Sequence, residues 1–182
     1  MPYFISHYAS PVGDITLCAR DNALIGLWIE GQSHFMETIE DETAETSDHP
    51  VLMAGREWLE AYFTGRCPSP LTLPLSLEGS PFRQAVWQLL LTIPYGAWTT
   101  YGQLARRLAA QSGKKTMSAQ AVGGAVGHNP LSIIIPCHRV IGSNGSLTGY
   151  AGGLHIKQWL LEHEGADLSG CFMPTNRFSC RK

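Results

Sequence analysis

The chain has 182 residues, of which 44% are hydrophobic and 15% charged, a composition that excludes intrinsic disorder and is long enough for one sizeable core or two small ones. No apolar run approaches the roughly 20 residues needed to span a bilayer. The N-terminus has neither the basic region nor the cleavage site of a signal peptide, so a cytoplasmic protein without membrane contact is expected. The net charge of −2 gives no support by itself for a polyanionic partner.

In chain order, the first thirty residues alternate as strands do. Tyr3–Tyr8, Asp14–Arg20 and Ala23–Ile29 are separated by the turn signals Ser10-Pro11-Val12-Gly13 and Asp21-Asn22. Gln32–Asp48 is polar and acidic with little periodicity. The spacing of Leu52, Leu59, Tyr62 and Phe63 predicts a helix over Pro50–Thr64, with Pro50 near its start and Gly65 after its end. Arg66–Gly79 holds Pro68, Pro70 and Pro74 and reads as a linker, giving an N-terminal domain at 1–78.

The second half turns helical. Ser80-Pro81 opens a helix whose apolar stripe runs through Phe82, Val86, Leu89, Leu90 and Ile93 to Pro94. Thr100-Tyr101-Gly102-Gln103 matches a capping box, starting a helix with Leu104 and Leu108 inward and Arg106 and Arg107 outward. After Ser112-Gly113-Lys114-Lys115, Ser118 caps a short helix over Ala119–Val126, and the pair resembles a helix-turn-helix. A buried run (Leu131–Ile135), a glycine-rich loop (Gly142–Gly153) and a helix over Leu154–Glu164 complete a domain at 79–168. Residues 169–182 form an extension. Charge divides along the same line: residues 1–79 hold three basic and twelve acidic side chains, and residues 80–182 hold ten and three. That asymmetry fits a polyanion-binding domain beside one that is not.

The five cysteines, Cys18, Cys67, Cys137, Cys171 and Cys180, are odd in number and scattered, with no C-x-x-C pair. Reduced thiols are therefore expected, with no disulfide framework and no zinc knuckle, and no ligand cluster in the N-terminal half supports a structural metal, so no metal ligands are assigned. The densest chemistry is Ile133-Ile134-Ile135-Pro136-Cys137-His138-Arg139-Val140. Rigid backbone flanks the thiol, His138 offers a base, and Arg139 offers a cation to favour the nucleophilic thiolate. A free cysteine is most often a small core hydrophobe. Against that, a polar His-Arg pair abutting an apolar segment is costly to bury without purpose.

This run, with Gly127-His128-Asn129-Pro130 before it and Gly149-Tyr150-Ala151-Gly152-Gly153-Leu154 after it, resembles the signature of the O6-alkylguanine-DNA alkyltransferases. The similarity spans roughly residues 80–166, through Tyr101-Gly102-Gln103-Leu104-Ala105, Ala121-Val122-Gly123-Gly124-Ala125, Lys157 and Glu164-Gly165. It implies an α/β N-terminal domain with a ribonuclease-H-like sheet and helix, then a mainly α domain with a winged helix-turn-helix. It implies a monomer that needs no cofactor, binds duplex DNA through the minor groove and flips an O6-alkylguanine (or O4-alkylthymine) into a pocket. The alkyl group then passes irreversibly to Cys137, once per molecule.

Carried over residue by residue, the resemblance makes Cys137 the alkyl acceptor, His138 the base acting through a water, and Glu164 the acid orienting it. Asn129 bridges the helix-turn-helix to the active-site segment. Tyr101 and Tyr150 serve the flipped nucleotide, Lys157 supports the site, Arg139 lies on the DNA-binding side, and backbone groups near Val140 and Ala151 read the guanine edge. Gln120 stands where family members commonly place an intercalating arginine. It has similar reach but no charge, so DNA affinity or damage preference is expected to differ. Two other readings are a damage sensor without transfer chemistry, against which Cys137 argues, and a Cys137/His138 hydrolase, for which adjacent residues give poor geometry.

Overall fold

The computed structural model describes residues 2–37, 39, 43–46 and 48–174. The basic C-terminus with Cys180, and parts of the acidic Gln32–Asp48 stretch, lie outside the described residues. Among those described, no helix is long and apolar enough to cross a membrane.

Three antiparallel strands form where alternation predicts them: β1 (Tyr3–Ser10), β2 (Gly13–Arg20) and β3 (Ala23–Ile29). Asp21 adopts the left-handed conformation (φ 54) that a two-residue hairpin requires, and Arg20 pairs directly with Ala23. The sheet order is β3-β2-β1-β4, with β4 (Thr43–Glu45) parallel to β1. β4 lies within the acidic stretch, whose sequence shows little periodicity.

Helix α1 (Pro50–Phe63) lays Val51, Leu52, Trp58, Leu59 and Tyr62 on one face of this sheet. Gly55 lets the two approach closely, since a Cβ there would stand 2.7 Å from Leu17 Cδ2. The linker contains a single 3-10 turn (Pro70–Thr72) and then runs beside β3, with Leu24 N–H donating to Pro74 O and Ser76 N–H to Leu24 O.

In the second half, α2 (Pro81–Leu90) is capped by the Ser80 hydroxyl, which accepts from Arg83 N–H. Helix α3 (Tyr101–Gln111) carries the full Thr100/Gln103 capping box, and α4 (Ala119–Gly127) is capped by Ser118. Beside this helix-turn-helix, β5 (Thr99–Thr100) pairs with β6 (Val140–Ile141), and the glycine-rich loop leads into α5 (Leu154–His163). The extension is not free of the domain: Phe172 exchanges backbone hydrogen bonds with Gly145 and Leu147.

One buried cluster runs from Ile15 and Leu27 through Tyr62 and Trp87 to Ile135 and Leu160. Both halves of the chain thus share a core. The run read as buried apolar, Leu131–Ile135, is fully buried but forms no strand of its own. Leu131 instead pairs with Leu27 at the free side of β3, where Leu27 N–H donates to Pro130 O and Ser132 N–H to Leu27 O. Beyond it the chain turns at Ile133 (φ 71).

Candidate active site

Cys137 begins a single 3-10 turn (Cys137–Arg139) between Pro136 and β6. Its side chain is 3% exposed. Asn129, just past the end of α4, fastens the segment. Its Oδ1 accepts from Leu131 N–H at 3.0 Å, and its Nδ2 donates to Ile135 O at 2.8 Å and to Cys137 Sγ at 3.1 Å. One amide side chain therefore fixes both the turn and the thiol.

Burial pushes the Cys137 thiol above its ordinary range, and the Asn129 hydrogen bond and the Lys157 charge only partly offset this. The resting group is a thiol that needs a base. His138 is fully buried, and its Nε2 donates to Glu164 Oε1 at 2.7 Å. Its lone pair therefore sits on Nδ1, which has no hydrogen-bond partner among the described residues. Burial holds the imidazole below its ordinary 6.5, so it rests neutral and able to accept a proton. Glu164 ends α5 and is buried. Burial alone would raise its carboxyl, but the His138 N–H bond and the Arg139 pair outweigh it and hold the group well below the usual range.

Arg139 takes a different place from the one read in the sequence. Its Nε and Nη2 reach Glu164 Oε2 and Oε1 at 2.7 and 3.0 Å, and its Nη1 donates to Ile93 O at 2.6 Å. All three nitrogens serve the buried network, so Arg139 neither faces the thiol nor presents a free guanidinium to DNA. The cation that acts on Cys137 is Lys157. Fully buried, its Nζ donates to Val140 O and to Thr148 O, and burial lowers its pKa to about 8 while Cys137 raises it.

Sequence reasoning missed two partners of Glu164. The Tyr62 hydroxyl, at the end of α1, donates to Glu164 Oε1 at 2.7 Å, and Gly96 N–H reaches Oε2 at 3.2 Å. Tyr62 reads as one more apolar position of an amphipathic helix, and no local pattern announces a partner 102 residues away.

Around the thiol, Tyr101 opens α3 half-buried, and its hydroxyl donates to Gly149 O at 2.9 Å. Tyr150 is buried, its ring edge-on to His138 with centroids 6.4 Å apart. Ala151 O accepts from Ser33 N–H at 3.0 Å. Val140 N–H closes the 3-10 turn on Cys137 O. Gln120 lies in the first turn of α4 and is exposed, apart from the thiol and its partners.

A ribonuclease-like sheet domain and a helix-turn-helix domain that carries a buried Cys-His-Glu set define a class of protein, the two-domain methyltransferases of alkylated DNA. Residues 4–77 match the 6-O-methylguanine DNA methyltransferase ribonuclease-like domain, and residues 81–166 match the DNA binding domain of the same name. A methylated-DNA–protein-cysteine methyltransferase of Mycolicibacterium paratuberculosis is 44% identical over 156 residues, covering 85% of this chain and 88% of the relative. The Haemophilus influenzae protein of that name is 37% identical over 161 residues, covering 88% and 86%. The crystal structure of Mycobacterium tuberculosis OGT in complex with DNA superposes with a TM-score of 0.77 at 36% identity, covering 93% of this chain and 98% of that one. The chain belongs to the methylated-DNA–protein-cysteine methyltransferase family.

Proposed function

We propose that the protein repairs duplex DNA by taking the alkyl group from O6-alkylguanine, and from O4-alkylthymine, onto Cys137, once per molecule and irreversibly. The observation that carries this reading is the set Asn129–Cys137–His138–Glu164. A buried thiol is held by an amide, beside a neutral imidazole whose remote N–H is anchored to a carboxylate and whose Nδ1 is free.

In this reading His138 Nδ1 takes the thiol proton through a water, and Glu164 stabilises the imidazolium that forms. Asn129 and Lys157 support the thiolate. Sγ attacks the alkyl carbon as its bond to the guanine oxygen breaks. The electron pair leaves with the base, which takes up the proton released from the thiol. A thioether remains. The alkyl carbon is out of reach in a stacked duplex, so the nucleotide is flipped, at a cost of a few kcal/mol that is least for a damaged base. Tyr101 and Tyr150 stand beside the thiol to receive it, and the carbonyl of Val140 and the N–H of Ala151 supply edge contacts. Gln120, exposed at the start of α4, fills the gap left in the stack without adding charge.

Intact-protein mass spectrometry after mixing with a duplex carrying one O6-methylguanine tests the reading. A gain of one methyl, mapped to the Cys137 peptide and absent in Cys137→Ala, is expected. An unmodified protein that still binds the damaged duplex would overturn transfer in favour of damage sensing.

A further inference from the structure

Outside the alkyl-transfer site, His34, Glu37 and His128 gather so that one donor atom of each lies within 4.8 Å of the other two. The sequence shows no such cluster, because His34 and Glu37 follow β3 while His128 caps α4, roughly 90 residues later. All three line a cavity of about 400 Å³ where the two domains meet. We propose that they form a site for a borderline divalent transition metal of the zinc class, tying the N-terminal loop to the end of α4.

Orientation is the first support. His128 Nδ1 lies 2.8 Å from Gly124 O, an atom that can only accept, so the proton is on Nδ1 and the lone pair on Nε2. A ligating histidine whose other N–H is held by a backbone carbonyl is the usual arrangement of metal sites. His34 Nδ1 lies 2.5 Å from Glu37 Oε2, and its ring stacks on His128 with centroids 4.0 Å apart.

Charge is the second support. Among the described residues Glu37 pairs with no lysine or arginine, so no fixed cation competes for its carboxyl group. Two imidazoles with one carboxylate suit zinc and its neighbours and disfavour calcium or magnesium, which take all-oxygen shells. Zinc–nitrogen bonds of about 2.0–2.1 Å place tetrahedral ligands about 3.3 Å apart. His34 and Glu37 are both exposed, where no buried packing holds their side chains in one rotamer. Solvent completes the shell.

The metal would act as a staple, not as a reactant. His128 directly precedes Asn129, the residue that holds Cys137 Sγ. Binding therefore fixes the N-terminal loop to the segment that positions the thiol.

Zinc chloride titrated by calorimetry into the chelator-treated full chain tests this, beside His34→Ala, His128→Ala, Glu37→Gln and Cys137→Ala. Circular dichroism without metal checks that each variant is folded, with His34→Gln and His128→Gln as milder replacements if either alanine variant is not. One zinc per wild-type chain is expected, retained in Cys137→Ala and weakened at least about tenfold in each histidine variant. Cobalt(II) should give a spectrum without a thiolate charge-transfer band. The absence of saturable one-to-one binding would overturn the proposal. So would binding that survives the histidine changes, or binding that is lost with Cys137.

Discussion

Replacing Tyr62 by phenylalanine removes one hydroxyl and nothing else that packs. The ring keeps its stack on Trp58, with centroids 5.5 Å apart, and its edge contacts with Phe63 and Tyr95. What is lost is the 2.7 Å hydrogen bond to Glu164 Oε1. Hydrogen bonds to charged groups contribute about 1.5–3 kcal/mol. Oε1 retains His138 Nε2 and Arg139 Nη2, so no acceptor is left empty and the lower end of that range applies. For a chain of this length, about 1.5 kcal/mol lowers the melting temperature by about 3–6 °C. The contact joins α1 to the carboxylate that orients the base, so the single-turnover transfer rate should also fall, by no more than about tenfold, since that factor already corresponds to about 1.4 kcal/mol. Thermal unfolding followed by circular dichroism reads the first effect and quenched methyl transfer the second. Tyr8→Phe is the control: its hydroxyl donates to the exposed Glu60 at 2.9 Å, and such surface bonds contribute little. A Tyr62→Phe protein that melts with wild type, or a Tyr8→Phe protein that loses as much, would show that the buried bond to Glu164 adds no such stability.

Asn129→Ala leaves Leu131 N–H and the buried Cys137 without their partner, so a loss of about 1–3 kcal/mol in urea unfolding is expected, together with slower transfer in rapid-quench assays. Stability should decline with acid in two steps. His138 is held below its ordinary 6.5, so the unfolded chain takes up that proton first and stability drops as pH falls below 6.5. Glu164 is held below its ordinary 4.5, so its contribution is present above 4.5 and is lost as pH falls further. Urea midpoints measured across that range check both steps, and His138→Gln should remove the upper one. Gly149 has φ +76, and a Cβ there would collide with the Tyr101 hydroxyl. Gly149→Ala should therefore displace Tyr101 and weaken binding to damaged duplex in a fluorescence titration, by more than the same change at exposed Gly113.

The sequence carried the repeating features well and the solitary ones poorly. Alternation located β1 to β3 within two residues at each end, and the caps Ser80, Thr100 and Ser118 marked three helix starts that the backbone obeys. β4 escaped because its three residues are all exposed and pair only through backbone. Leu131–Ile135 showed its burial but not its path, since the turn at Ile133 depends on Asn129 and Leu27 rather than on local propensity. Cys137 and His138 were legible as chemistry. The destination of Arg139 was not, because a guanidinium beside a thiol and one beside a distant carboxylate look alike in sequence. Tyr62 and the meeting of His34 with His128 are products of tertiary packing alone.

The free side of β3 is completed by two visitors, the linker around Leu75 and the segment around Leu131. They emerge roughly 50 and 100 residues after the strand they cover, and pairings so remote in the chain form late. During synthesis the N-terminal sheet therefore waits with an open edge, a period of exposure to wrongful pairing. The same timing withholds the nucleophile. Until residues 130–132 dock on that edge, Asn129 has no turn to hold, and a thiol is made reactive only in a molecule already whole.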